Sequence, residues 1–117
     1  MISIELPWPL RELSPNARCH WAVKASAVKR ARIQAAWATR EQTKPQPSWK
    51  GASVSYTFHA PDSRRRDRDN LIASMKAATD GIADALGVDD SKFETSYRIG
   101  APTKGGAVLV TISEAKP

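Results

Sequence analysis

Between positions 67 and 90 the chain concentrates carboxylates: Asp67-Arg68-Asp69-Asn70, then Lys76, Asp80 and the pair Asp89-Asp90. They follow directly on three arginines, Arg64-Arg65-Arg66, in a protein whose formal net charge is +6. Carboxylates repel a polyanion, so a basic protein that gathers them in one segment needs a reason, and the usual reason is a divalent cation. Mg²⁺ is the usual one. It takes hard oxygen ligands, one or two carboxylates completed by waters and substrate phosphates. The chemistry indicated is metal-dependent phosphodiester hydrolysis, with Mg²⁺ as cofactor and Mn²⁺ as a substitute. That reaction needs an activated water, neutralisation of charge on phosphorus and help for the leaving oxygen.

A polyanionic partner fits the uneven charge. Residues 1–61 carry nine Lys/Arg against three Asp/Glu, whereas residues 62–117 carry nine of each. Arg18, Lys24, Lys29, Arg30 and Arg32 form one candidate DNA surface, and Arg64, Arg65, Arg66 and Arg68 a second. An ordinary solvated helix and a solvated loop are the competing readings of these two runs. Trp8, Trp21, Trp37 and Trp49 are either core or interface residues, or platforms for exposed bases. Cys19 and His20 read as structural.

The elements that must position these residues follow from periodicity. Ile2 to Leu6 alternates at strand period and is closed by Pro7 and Pro9. Leu13 to His20 reads as a loop. Ser26 to Thr43 lacks Gly and Pro and is rich in alanine, which predicts a helix with Ser26 as N-cap and only a poor apolar stripe. Ala52 to Phe58 alternates cleanly and predicts a strand. A second helix is expected from about Asn70 to Leu86, with Leu71, Met75, Ala78, Ile82 and Leu86 as its apolar stripe and Gly87 as its C-terminal cap. Phe93–Ile99 and Ala107–Ile112 predict two further strands, joined by a turn around residues 102–106. The expected fold is α/β, a single domain over 1–117 in the order β-α-β-α-β-β on one mixed sheet, with no internal repeat and no disorder beyond a few terminal residues.

On one continuous helix Asp69, Lys76 and Asp80 fall within about 40° of each other, opposite the apolar stripe. The same placement describes a plain solvated face in which Lys76 and Asp80 form an i,i+4 pair, with Asp69 or Asn70 capping the helix. For Asp90 to approach Asp69, the strand after it must lie beside the strand ending near Phe58.

The pattern Asp67-Arg68-Asp69-Asn70-Leu71, Lys76, Asp80, Asp89-Asp90-Ser91 resembles the signature of the RusA family of Holliday junction resolvases, including its phage-encoded members. The stretch Leu13-Ser14-Pro15-Asn16-Ala17-Arg18-Cys19-His20-Trp21 is similar to that family's opening. The resemblance covers nearly the whole chain. It implies that Asp67, Asp69 and Asp90 are metal-binding catalytic carboxylates, with Lys76 an assisting base or phosphate contact and Asp80 its salt-bridge partner. It also implies a homodimer that binds four-way junction DNA and resolves it by paired symmetric nicks. One feature departs from the family's best-known form: the lysine expected four residues after the second aspartate is Ala73 here, and Lys76 follows at seven.

Several classes are excluded. The apolar runs are too short for a membrane span, and the first residues lack the pattern of a signal peptide. One cysteine cannot form an internal disulfide, and two histidines with it make no zinc set. A cytoplasmic setting is the expectation. Two other readings stay open: a non-catalytic basic nucleic-acid-binding module, and a metal-dependent nuclease acting on other branched DNA.

Overall fold

A computed structural model describes residues 1–115; the expectation about terminal disorder falls on residues outside that range. The strands are β1 (Ile2–Pro7), β2 (Ala52–His59), β3 (Phe93–Ile99) and β4 (Ala107–Glu114). The helices are α1 (Trp21–Gln42), α2 (Arg68–Ala73) and α3 (Lys76–Leu86), with single 3₁₀ turns at Arg11–Leu13 and Asp90–Lys92. The fold is α/β on one mixed four-stranded sheet, as expected.

The alternation in β2 sets the layers. Val54, Tyr56 and Phe58 are almost wholly buried, and they pack with Ala35 of α1 and with Ala78, Ile82 and Leu86 of α3. The helices therefore cover one face, while Ser53, Ser55 and Thr57 stay half-buried on the other. Tyr56 reaches through the core to hydrogen-bond Thr79 of α3, and burial pushes its phenol well above the ordinary tyrosine value. The expected stripe of the second helix is buried from Met75 to Leu86, with Leu71 partly so. Gly87 ends α3 at φ +68°, a conformation that favours glycine. Gly81 lets the helices touch, since a Cβ there would collide with the carbonyl oxygen of Arg32.

The strand order is β1-β4-β2-β3. β2 and β3 run parallel, joined by the α2–α3 crossover, and β4 is antiparallel to both β1 and β2. β3 and β4 thus follow one another in sequence without pairing. The segment between them passes the end of β2, where Gly100 N–H donates to Phe58 at 2.9 Å.

Two helix boundaries differ from expectation. α1 begins five residues before Ser26, because His20 acts as the cap: its Nδ1 accepts from Ala22 N–H at 3.1 Å. The helix expected over 70–86 is two helices. Ser74 turns its hydroxyl back onto the Leu71 carbonyl at 2.6 Å, and Met75 sits at φ −91°, ψ 1°, outside helical geometry. A serine that bonds its own helix's carbonyls competes with the regular ladder. The angular argument that put Asp69 and Lys76 on one helical face therefore does not carry across the break. The tryptophans divide: Trp8 meets Phe58 edge-on at 6.2 Å and Trp49 packs on the core, whereas Trp21 and Trp37 remain 77% and 61% exposed.

Candidate functional site

β2 delivers the chain to a loop that a single arginine holds in shape. Asp62 Oδ1 accepts from Arg64 N–H and from Arg66 Nη1, both at 2.9 Å. The Arg66 guanidinium also donates to the Arg64 carbonyl at 3.0 Å and lies 5.4 Å from the centre of the Trp8 ring. Its side chain is only 18% exposed, so Arg66 organises the loop. Arg64 and Arg65 are exposed beside it. This bonding holds the Asp62 carboxyl below the usual range, with the Arg66 contact as the larger cause and the Arg64 N–H next. A cleft of about 300 Å³ opens here, lined by Trp8, Phe58 and Ile99 and by Arg64, Arg65, Arg66 and Arg68.

Asp67 is the N-cap of α2. Its Oδ1 accepts from Asp69 N–H at 2.9 Å and Asn70 N–H at 3.4 Å, so the cap falls to Asp67 and not to Asp69 or Asn70. The cap engages Oδ1 alone. Asp69 follows in the first turn with an exposed side chain. A carboxylate there is favoured by the unpaired N–H groups of the helix start. Arg68 reaches β3, its Nη2 donating to the carbonyl of Tyr97 at 2.8 Å.

Lys76 opens α3 on the far side of the break. Its ammonium bridges two carboxylates, Asp90 Oδ2 at 2.8 Å and Asp80 Oδ1 at 3.0 Å. The Asp90 hydrogen bond first, and the Asp80 one next, hold Lys76 above the ordinary lysine value. These contacts favour the charged ammonium, which suits the lysine to contacting an anion. The two members of the Asp-Asp pair are used differently. Asp89 caps the 3₁₀ turn by accepting from Ser91 N–H at 2.8 Å, and that bond keeps its carboxyl low. Asp90 faces α3 instead.

The structure therefore brings Lys76, Asp80 and Asp90 together, and sets Asp67 and Asp69 at the arginine loop. Among the described residues, no three Asp, Glu, His or Cys side chains converge as a group able to hold a metal ion. On α1, Lys29 and Arg30 are exposed, as is Arg18 in the loop before it, and Lys24 is half-buried. Arg32 is engaged elsewhere: its Nε and Nη2 grip Asp84 of α3 at 2.7 and 2.9 Å. Neither this grip nor the Arg68–Tyr97 contact had a sequence signal, because the partners lie on different elements 52 and 29 positions apart. No helix among the described residues is long and apolar enough to cross a membrane.

No family model matches the chain. It is 38% identical, over 122 aligned residues, to an uncharacterised protein of Xylella fastidiosa, an alignment covering 97% of this chain and 76% of that protein.

Proposed function

We propose that the chain, which belongs to the family of that uncharacterised Xylella fastidiosa protein, is a Mg²⁺-dependent, structure-selective endodeoxyribonuclease that resolves Holliday junctions. The observation that carries this reading is the Lys76–Asp90 contact at 2.8 Å. It ties the lysine of shifted spacing to the second residue of the Asp-Asp pair, the carboxylate that the RusA-like pattern marks. The donor chemistry suits a hard divalent cation: Asp67 has Oδ2 outside its cap, Asp69 is exposed, and Asp90 uses one oxygen for Lys76. Asp67, Asp69 and Asp90 are the residues that would hold Mg²⁺, or Mn²⁺ in its place, and holding one ion requires them to draw together. The ion supplies an activated water and stabilises charge on the phosphate.

The chain's own groups do the rest. Arg64 and Arg65 stand exposed at the edge of the cleft to grip backbone phosphates. Lys76 contacts the scissile phosphate or the leaving group, or serves as an assisting base. Arg18, Lys24, Lys29 and Arg30 extend the basic surface along the start of α1. Paired symmetric nicks call for two active sites, hence a homodimer on four-way junction DNA, in a cytoplasmic setting. Affinity for such a substrate falls steeply with salt, because phosphate contacts dominate it.

A second reading has an observation of its own. Asp67 and Asp89 both serve as caps, and Asp80 and Asp90 both pair with Lys76. Those roles suffice for a non-catalytic nucleic-acid-binding module. One assay separates the readings: cleavage of a synthetic four-way junction, a fork and a linear duplex, with and without Mg²⁺. Mg²⁺-dependent paired nicks in the junction support the resolvase. Preference for the fork moves the substrate to other branched DNA, and binding without cleavage of any of the three supports the module.

A further inference from the structure

β3 is an open edge of the sheet, and its sequence complements itself. β2 occupies one side of it, and among the described residues no strand occupies the other. Because Gly100 N–H donates to Phe58, the alternation of a parallel ladder turns the peptide groups of Glu94, Ser96 and Arg98 toward β2. The peptide groups of Phe93, Thr95, Tyr97 and Ile99 then point outward. Arg68 donating to the Tyr97 carbonyl from outside the sheet agrees with this assignment. Ile99 is a large apolar side chain left 55% exposed on that edge.

We infer that β3 pairs antiparallel with β3 of a second copy of this chain, centred on Ser96, joining two sheets into one of eight strands about a twofold axis. In this register the outward groups meet outward groups, Thr95 opposite Tyr97 and Phe93 opposite Ile99. These are hydrogen-bonded pairs, and the second buries the exposed Ile99 against an aromatic ring. Glu94 falls opposite Arg98 of the other copy, twice by symmetry. Those two are non-hydrogen-bonded pairs, in which side chains approach most closely. A twofold interface requires such self-complementarity. Reading the strand in one direction gives apolar, acid, Thr, Ser, Tyr, base, apolar, which against its own reverse matches opposite charges and apolar ends. The Arg68 bond occupies one lone pair of the Tyr97 carbonyl and leaves the second for a ladder N–H.

The inference fixes where the two chains of the proposed resolvase meet, but its readout is mass and not cleavage. A chain that dimerises through β3 and cuts no DNA upholds it while the nuclease reading fails. Sedimentation of the full chain, from micromolar to sub-millimolar concentration, is the test. The parent is expected to dimerise, and Glu94→Arg or Arg98→Glu alone to weaken dimerisation by about tenfold or more, since each sets like charges opposite at two places. Mixing the two single variants should restore a dimer, because each then meets its complement, and the double variant Glu94→Arg/Arg98→Glu should pair with itself. Thr95→Pro deletes an outward N–H at an edge position, where proline is tolerated. It should give a monomer with the parent's circular dichroism. A monomeric parent overturns the proposal and makes Arg68 a guard against edge pairing. So do charge variants that dimerise like the parent, or a mixture of weakened variants that fails to recover.

Discussion

The two carboxylate groups of this chain sit at opposite sides of the Ser74–Met75 break and are handled in opposite ways. At the start of α2, Asp67 spends one oxygen on backbone N–H groups, and Asp69 is left exposed with four arginines in the neighbouring segment. Among the described residues two of those arginines are committed, Arg66 to Asp62 and Arg68 to Tyr97. At the start of α3, Asp80 and Asp90 are both clamped by one lysine. The first group is held by the backbone and keeps open oxygens. The second is neutralised by a side chain that can swing away. A cation or a phosphate has access to the first as it stands, but at the second it must compete with Lys76 or recruit it.

The sharpest way to break this contrast is at the open group. Asp69→Asn should lower Mg²⁺-dependent junction cleavage by roughly 10²–10³-fold or more, the scale of losing a principal stabiliser of transition-state charge. Junction binding should survive or tighten, because one charge that repels phosphates is gone. Asp90→Asn should behave alike and Asp89→Asn should be milder, since an asparagine side chain can still cap that turn. Single-turnover rates on a labelled junction check all three, and full activity in Asp69→Asn removes that residue from the chemistry.

Lys76 tests the clamped group. Its removal in Lys76→Ala should slow single-turnover cleavage by roughly 10²-fold if the lysine assists the leaving group, as loss of acid–base help does. Junction affinity should change little. A rate within about twofold of the parent would leave Lys76 as one partner in surface pairs, each worth roughly 0.2–1 kcal/mol.

The structure explains why one group was easier to read than the other. The strands were legible because each buries alternate residues, so Val54, Tyr56 and Phe58 mark β2 without any knowledge of its neighbours. The stripe Met75–Ala78–Ile82–Leu86 and the stop at Gly87 were legible for the same local reason. The break was hidden, because Ala73-Ser74-Met75-Lys76 contains no proline or glycine and a serine bonding back to Leu71 leaves no pattern. The start of α1 was hidden as well: Trp21 to Ala25 is exposed apart from the half-buried Lys24, so no apolar period announces it, and histidine is a rare cap. Strand order depends on contacts between distant segments, so the insertion of β4 between β1 and β2 could not be read from either strand. The carboxylates were legible as types and spacing, but their separate handling arises from the break and from partners on other elements.

Asp67 distinguishes a structural duty from a chemical one at the same carboxyl. Asp67→Ala removes the cap and should cost about 1 kcal/mol of stability, typical for an N-cap aspartate. Asp67→Asn and Asp67→Ser keep a side-chain oxygen for the Asp69 and Asn70 N–H groups and should melt within a few tenths of a kcal/mol of the parent. If the carboxylate also holds the cation, both capping variants should still lose cleavage. Denaturation and cleavage measured on the three variants separate the duties: activity that follows stability, high in Asn and Ser and low in Ala, would make Asp67 only a cap.

The smallest effect lies in the Arg32–Asp84 grip that fixes α3, and with it Lys76, against α1. The hydrogen bond from Arg32, and then its charge, hold the Asp84 carboxyl below the ordinary value of 3.8. A carboxyl lowered in the folded state binds its proton less readily there than in the unfolded chain. Its contribution is therefore complete above the ordinary carboxylate range and is lost as pH falls through the folded value. The pair is largely solvated, its side chains 50% and 39% exposed, so screening keeps the contribution modest. Arg32→Met should lower the melting temperature slightly at neutral pH, and the gap from the parent should close as the solution is acidified below the carboxylate range. High salt should narrow it too. A gap that is unchanged by acid would mean that Arg32 supports α3 through the packing of its aliphatic stem, with its charge contributing nothing.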